Sequence, residues 1–439
     1  MSRPFPVEAI RAQFPGLQRD ASFIFFDNAA GAQIPTAVLD AVTSHLVGRN
    51  VQRGGVYRHS REVDAMIART RESVAALVNA TGPDEIAFGL NATSFIRAIS
   101  LAVGQTLGPR TEIVVTDLDH EANVATWLAL ERFGARIVWW PVRSDGRLYV
   151  DDLVELVTER TRLVACTMAS NATGTRVDAA AAAAVAHRMG AEIFLDAVHF
   201  GPHGPIDVQS IGADYLVCSG YKLFSPHMGF ACCRRQAINR LPTFREDFIP
   251  DVTPDKLEAG TYVYENVAGM NAVVEYLEDL GARVMNAKGG SRHERLRAAL
   301  SAIAQYERGL SLALLDAVAR VPGASIHGIT ARDEIDRRVP TVAFTVAGIE
   351  PSAIAEACAA RDVGVRSGHM YSPRLMRRLG TLPDGVVRAS LVHYNTSEEI
   401  ARFGSILEEV CGALSALTRG GSTTSHEQAA APRRRPSRR

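Results

Sequence analysis

Between residues 110 and 235 the chain alternates short apolar runs with stretches of helical spacing. Residues 112–116 (EIVVT), 136–141 (RIVWWP), 163–168 (LVACTM), 192–196 (EIFLD), 215–218 (YLVC) and 229–233 (GFACC) read as strands. Several are almost wholly apolar, the pattern of strands covered on both faces. Residues 122–133 and the alanine-rich 178–189 read as helices between them. This alternation predicts a largely parallel sheet with helices on both sides. In such sheets ligands gather beyond the carboxyl ends of the strands, so the residues after each strand are the first candidates for chemistry.

After residue 280 the texture changes. A long helical stretch, 291–321, precedes an α+β segment with strands at 339–346 and 386–391 and a closing helix at 397–416. The expected organisation is an N-terminal segment, 1–20, packed on the smaller domain, a large domain over 21–280, a smaller C-terminal domain over 281–418, and a tail over 419–439. The tail carries six Arg against Glu427, a net +5, in a Gly-, Ser- and Pro-rich setting, and reads as a disordered, solvated segment. The whole chain of 439 residues balances 48 Lys and Arg against 48 Asp and Glu, so the remainder carries −5. That argues against a broad nucleic-acid surface. Six cysteines form no CxxC pair and sit in apolar stretches, as reduced core thiols of a cytoplasmic protein do, and no metal site is expected. The N-terminus lacks an apolar signal core, and no run reaches the about 18 apolar residues of a membrane span.

Two charged residues stand at strand ends inside this apolar framework. Lys222, in Ser219-Gly220-Tyr221-Lys222, follows YLVC, and Asp196 ends EIFLD. A lysine in such a place either reaches solvent or is a Schiff-base amine whose pKa burial has lowered. An acid there needs a cationic partner. A protonated pyridine nitrogen is one, which is how enzymes of pyridoxal 5'-phosphate (PLP) keep the ring an electron sink.

The run 196–229, DAVHFGPHGPIDVQSIGADYLVCSGYKLFSPHMG, and the opening FFDNAAGAQIP at 25–35 resemble the class V aminotransferase-fold PLP enzymes, above all the cysteine desulfurase-like group. The similarity runs from about residue 25 to about 417, with its motifs in order. It implies the fold type I of PLP-dependent transferases: a mostly parallel seven-stranded sheet domain plus a smaller α+β C-terminal domain. It also implies a role for each matching position. Lys222 would hold the cofactor and shuttle the substrate Cα proton. Asp196 would pair with the pyridine nitrogen. His199 would lie near the phenolic oxygen, and His120, in DHEAN, would stack on the ring. Thr93, with the Ala92 backbone at the start of a helix, would bind phosphate together with Ser219. Tyr221 takes the place of a histidine common in desulfurases and would donate one hydrogen bond. Thr261, in EAGT, would reach the phosphate of the other subunit in a homodimer. Asn171, in SNATG, would contact the phenolic oxygen or the substrate carboxylate, and Arg388, in VRAS, would clamp that carboxylate. Arg53, in the Gly-rich NVQRGG, would line the substrate entrance.

One position departs from the group. Desulfurases carry a loop cysteine that receives sulfur as a persulfide. The matching stretch here is RSGHMYSP at 366–373, with Tyr371 in the cysteine's place and no other cysteine between Cys358 and Cys411. A phenol forms no persulfide. The expected reaction is therefore C–S β-elimination from cysteine, cystine or an S-substituted cysteine. Tyr371, His369 and Tyr262 are expected either to line a pocket for a bulkier substrate or to supply a general acid. Transamination, decarboxylating deamination or epimerisation of an amino acid, and an inactive PLP-binding partner, are the alternatives.

Overall fold

In the computed structural model, which describes residues 4–285 and 289–421, seven strands form one sheet. Their order is Ile86–Gly89, Gly229–Cys233, Tyr215–Ser219, Glu192–Asp196, Thr161–Thr167, Glu112–Thr116 and Arg136–Trp140. Only Gly229–Cys233 runs against the other six. Six of the strands are those expected from the sequence. The seventh, Ile86–Gly89, has four residues, IAFG, at the sheet edge, too few to show a periodicity of their own.

Alternation along the strands explains the two cores. Ile193 and Leu195 point into one hydrophobic cluster and Phe194 into the other, as do Leu216 and Val217. Helices Arg58–Val78, Ala179–Arg188 and Tyr264–Met285 cover the first face, and Ala92–Gly104 with Ala122–Leu128 covers the second. Pairing places the carboxyl ends at Gly89, Thr116, Thr167, Asp196 and Ser219 along one rim, beside the start of Gly229–Cys233.

The second sheet is antiparallel throughout, in the order Arg366–Gly368, Val386–Ser390, Thr341–Val346, Ala324–His327. Helices Arg292–Ala319, Pro351–Ala359 and Ser397–Gly421 pack on it. The first of these opens on a reciprocal capping box between Ser291 and Glu294. The helix Tyr264–Met285 is continuous through residue 280, where a domain boundary was expected, and the closing helix runs to Gly421 instead of ending at 416. The rest of the basic tail lies outside the described residues. The N-terminal segment bridges both units. Phe5 stacks on Tyr306 and Arg11 pairs with Glu399 at 3.0 Å, while Phe14 meets Phe224 edge-on. All six cysteines are buried and free. Among the described residues no helix is long and apolar enough to cross a membrane, and no cluster of metal ligands is present.

Candidate active site

The rim of strand ends encloses a pocket, and Lys222 stands in it on the short turn Gly220–Lys222. The turn is fixed by Gly220, whose N–H donates to Met228 O at 2.7 Å and whose carbonyl accepts from Ser225 N–H at 3.0 Å. Lys222 is only 9% exposed. Burial, and then the charge of Arg388, lower its amine to about 8, while Asp196 opposes them. Asp196, buried at the end of its strand, accepts the Val198 N–H at 2.9 Å, and burial raises its carboxyl.

One wall is the start of helix Ala92–Gly104. Asn91 and Ser94 form a capping box, and the Ala92 N–H donates to Ser219 Oγ at 3.0 Å. Gly229 makes this approach possible, since a Cβ there would lie 2.6 Å from the Asn91 backbone. Thr93, Ser219 and Tyr221 line the pocket beside this positive helix end. His120 lies on another wall. Its Nδ1 accepts the Ala122 N–H at 3.1 Å, and burial with the charges of Lys222 and Arg388 draws it down to about 4. It is therefore a neutral imidazole whose proton sits on Nε2. His199 shares a 3.1 Å hydrogen bond between Nε2 and Thr341 Oγ1, and burial holds it well below its usual range.

Arg388, 2% exposed, donates through Nη1 to the Asn171 carbonyl at 2.8 Å and through Nη2 to Asp27 Oδ1 at 2.9 Å. Arg366 pairs with the same carboxylate at 2.7 Å. Two guanidiniums thus share one carboxylate, which leaves a net positive charge, and the buried Nε of Arg388 has no partner. Asn171 lines the pocket, but its amide also ties down the loop around Tyr371. Nδ2 donates to Met370 O at 2.6 Å, and Oδ1 accepts from Ser372 Oγ at 3.0 Å. The loop is further held by Glu121 N–H to Tyr371 O at 2.8 Å and by the ion pairs Arg374–Glu121 and Arg378–Asp117. Met370 and Tyr371 are both left-handed, at φ 51° and 57°, and Met370 is buried, so packing and hydrogen bonds hold a strained backbone. The Tyr371 ring, 58% exposed, stacks at 5.7 Å on His120.

The structure thus gathers Ala92, Thr93, His120, Asn171, Asp196, His199, Ser219, Tyr221 and Lys222 at one pocket, with Arg388 beside it and Tyr371 over His120. Four residues stand elsewhere. His369 is exposed, touching Tyr371 edge-on at 5.9 Å, and does not line the pocket. Arg53 faces Asp64 at 3.5 Å and Glu258 at 3.9 Å, because those carboxylates and not the pocket offer it a counter-charge. Tyr262 is packed against the buried Arg71–Glu258 pair and so is no neighbour of Tyr371 in a pocket wall. Thr261 is exposed and accepts from Gln52 Nε2, outside this chain's own pocket.

Sequence reasoning missed Asp27, Thr341 and Asp119. Asp27 lay in plain view inside FFDNAAGAQIP but without an assigned partner. Thr341 comes from a distant strand and leaves no local signal. Asp119, raised to about 7 by burial, accepts from Thr116 Oγ1 at 2.5 Å and Asn123 Nδ2 at 2.7 Å and so shapes the turn that presents His120. The donor set suits PLP. It offers a helix start with hydroxyls for a phosphate, a buried carboxylate for a protonated ring nitrogen, and an amine poised near neutrality.

The comparisons with known proteins agree with this chemistry. The aminotransferase class-V family model matches residues 24–403. An aminotransferase-like protein of Gibberella zeae, FGM3, is 36% identical over 420 residues, covering 93% of this chain and 99% of its own. A probable cysteine desulfurase of Streptomyces coelicolor is 30% identical over 427 residues, covering 92% and 96%. The crystal structure of the Escherichia coli cysteine desulfurase CsdA aligns with a TM-score of 0.80 at 27% identity, over 94% of this chain and all of that one.

Proposed function

The chain belongs to the class V aminotransferase family of PLP-dependent enzymes, and from that premise we propose that it is a C–S β-lyase. It would cleave cysteine, cystine or an S-substituted cysteine to a thiol, pyruvate and ammonia. The observation that carries this reading is the place of Tyr371. It occupies the position of the sulfur-accepting cysteine, on a loop fastened at several points, with its phenol over His120. No cysteine substitutes for it. Cys218 is near enough to Lys222 to interact with its charge, but burial pushes its thiol up to about 12, too high to furnish a thiolate.

Bound PLP supplies an electron sink for charge developing at the substrate Cα. Arg388, with its unpartnered Nε, takes the α-carboxylate. Lys222, neutral above about pH 8, accepts the Cα proton. Asp196 would pair with the ring nitrogen of the cofactor, and His120, held neutral, would cover the ring without adding a charge. The Cα–H and Cβ–S bonds break, and a Cα–Cβ double bond forms. The Tyr371 phenol gives its proton to the departing sulfur, and the released enamine hydrolyses to pyruvate and ammonia. Tyr371→Phe is expected to slow release of an alkyl thiol by about 10²-fold. S-aryl cysteines, whose thiolates leave without a proton, are expected to be much less affected. Thiol release is followed with a chromogenic disulfide. No thiol from any S-substituted cysteine would overturn the proposal, and equal alkyl rates in both proteins would remove Tyr371 from it.

The same reading makes the enzyme a cytoplasmic homodimer. Gln52, Arg53 and Thr261 face outward together, and Val47, Val56 and Tyr57 are exposed nearby in the chain. A partner would cover this surface and receive Thr261 at its phosphate. Light scattering should give twice 47.4 kDa. A monomer that retains its cofactor would refute the shared site.

A further inference from the structure

Behind His199 the fold carries a second ionisable pair. His203, in the loop after Glu192–Asp196, and Glu307, in the middle of helix Arg292–Ala319, meet at 2.8 Å between Nδ1 and Oε2, each side chain 2% exposed. An ionisable pair buried where two structural units meet is costly compared with apolar side chains of the same volume, so its place calls for a role. The His203 ring stands 5.3 Å from His199, edge to face at 72°. On its other side is a small cleft of about 50 Å³, lined by both members of the pair. Glu307 Oε1 and Arg338 Nε line it as well, each buried and without a protein partner. A polar space of this size with unpartnered atoms suits one or two water molecules.

We propose that His203 and Glu307 are positioning residues that hold a charge behind His199 and exchange their proton with solvent through this cleft, so setting the protonation of the cofactor site. The proposal rests on the pocket being a PLP site. With Glu307 ionised, the shared proton lies on His203, and a positive charge beside His199 disfavours a second proton there. Lys222 and Arg388 act on His199 in the same direction; burial raises the Glu307 carboxyl, and the charge and hydrogen bond of His203 oppose that rise. The other charged groups facing the pair are Arg338, Arg176, and the Arg308–Asp336 ion pair at 3.4 Å, all around the cleft. His393 lies on the far side, with Nε2 on the Tyr276 hydroxyl at 2.6 Å and burial holding it low. Arg338 donates to the carbonyls of Ile329, Thr173 and Thr341, so it fixes the cleft wall and the strand that carries Thr341.

The test is a pH titration of the absorption band of the bound cofactor in the holoenzyme. Loss of the positive charge should raise the midpoint in Glu307→Gln and in His203→Gln, each by on the order of half a pH unit or more. The double variant should move no further than either alone, since the pair acts as one unit. A midpoint unmoved in a variant that loads its cofactor would overturn the proposal. Independently of any variant, nitrogen-15 histidine resonances of the wild-type protein should place the proton shared with Glu307 on His203 Nδ1, and a shared proton that resides on Glu307 would overturn it too. A wild-type protein that takes up no PLP would instead refute the reading of the pocket.

Discussion

Lys222→Ala is expected to remove covalently held PLP and to lower turnover by at least about 10³-fold, because the same amine holds the cofactor and moves the Cα proton. The side chain is buried, and its loss leaves the sheet and both cores intact. The variant should therefore melt like the apo wild type and lack the cofactor absorbance. The wild type adds a pH signature. With the amine lowered to about 8, the neutral form gains as pH rises, so the apo protein should capture added PLP faster from pH 6 upward and level off above about 8. The sign for stability follows from the same shift. A lysine whose folded pKa lies below its unfolded value binds fewer protons when folded. Its contribution to stability therefore rises with pH between about 8 and 10.5, the reverse of an ion-paired lysine.

Arg388→Lys should be nearly as damaging, though through binding. The guanidinium is buried, spans Asp27 and the Asn171 carbonyl, and leaves Nε free for a carboxylate. An ammonium cannot serve these directions at once. Truncating a partner in a buried charged network costs about 2–5 kcal/mol, which at 1.4 kcal/mol per tenfold step corresponds to a fall in kcat/KM of about 30- to 4,000-fold. Most of it should appear in KM. The check is a comparison of an S-alkyl cysteine with the corresponding amine that lacks the α-carboxylate. Wild type and variant should differ widely on the first and little on the second. A similar loss on both substrates would mean that Arg388 supports the fold and does not clamp the carboxylate.

Much of this architecture was legible in the chain because local pattern and tertiary role coincide. EIFLD and YLVC are buried on both faces and end at Asp196 and Ser219, so their apolar runs report both the sheet and the place of the site. Ile86–Gly89, Ala324–His327 and Arg366–Gly368 were not legible. They are three- or four-residue strands that exist through pairing with remote partners. The site divides in the same way. Lys222 and Asp196 stand out because charge after an apolar strand is costly unless used. Asp27 and Thr341 act through contacts 361 and 142 residues away in sequence, with Arg388 and His199, and no local pattern encodes such partners. His203 and Glu307, 104 residues apart, meet only in the folded chain. Arg53 was placed by its Gly-rich loop alone; within one chain Asp64 and Glu258 are its partners, and it shares an exposed face with Thr261.

The central claim is that C–S cleavage here proceeds without a sulfur acceptor on the protein. The most direct test is the carbon product of L-cysteine with the PLP-loaded enzyme. Elimination yields pyruvate, ammonia and sulfide in equal amounts and no alanine, and that is the predicted result. Alanine accompanied by sulfur bound to the protein would contradict the account, and so would a keto acid that retains the thiol.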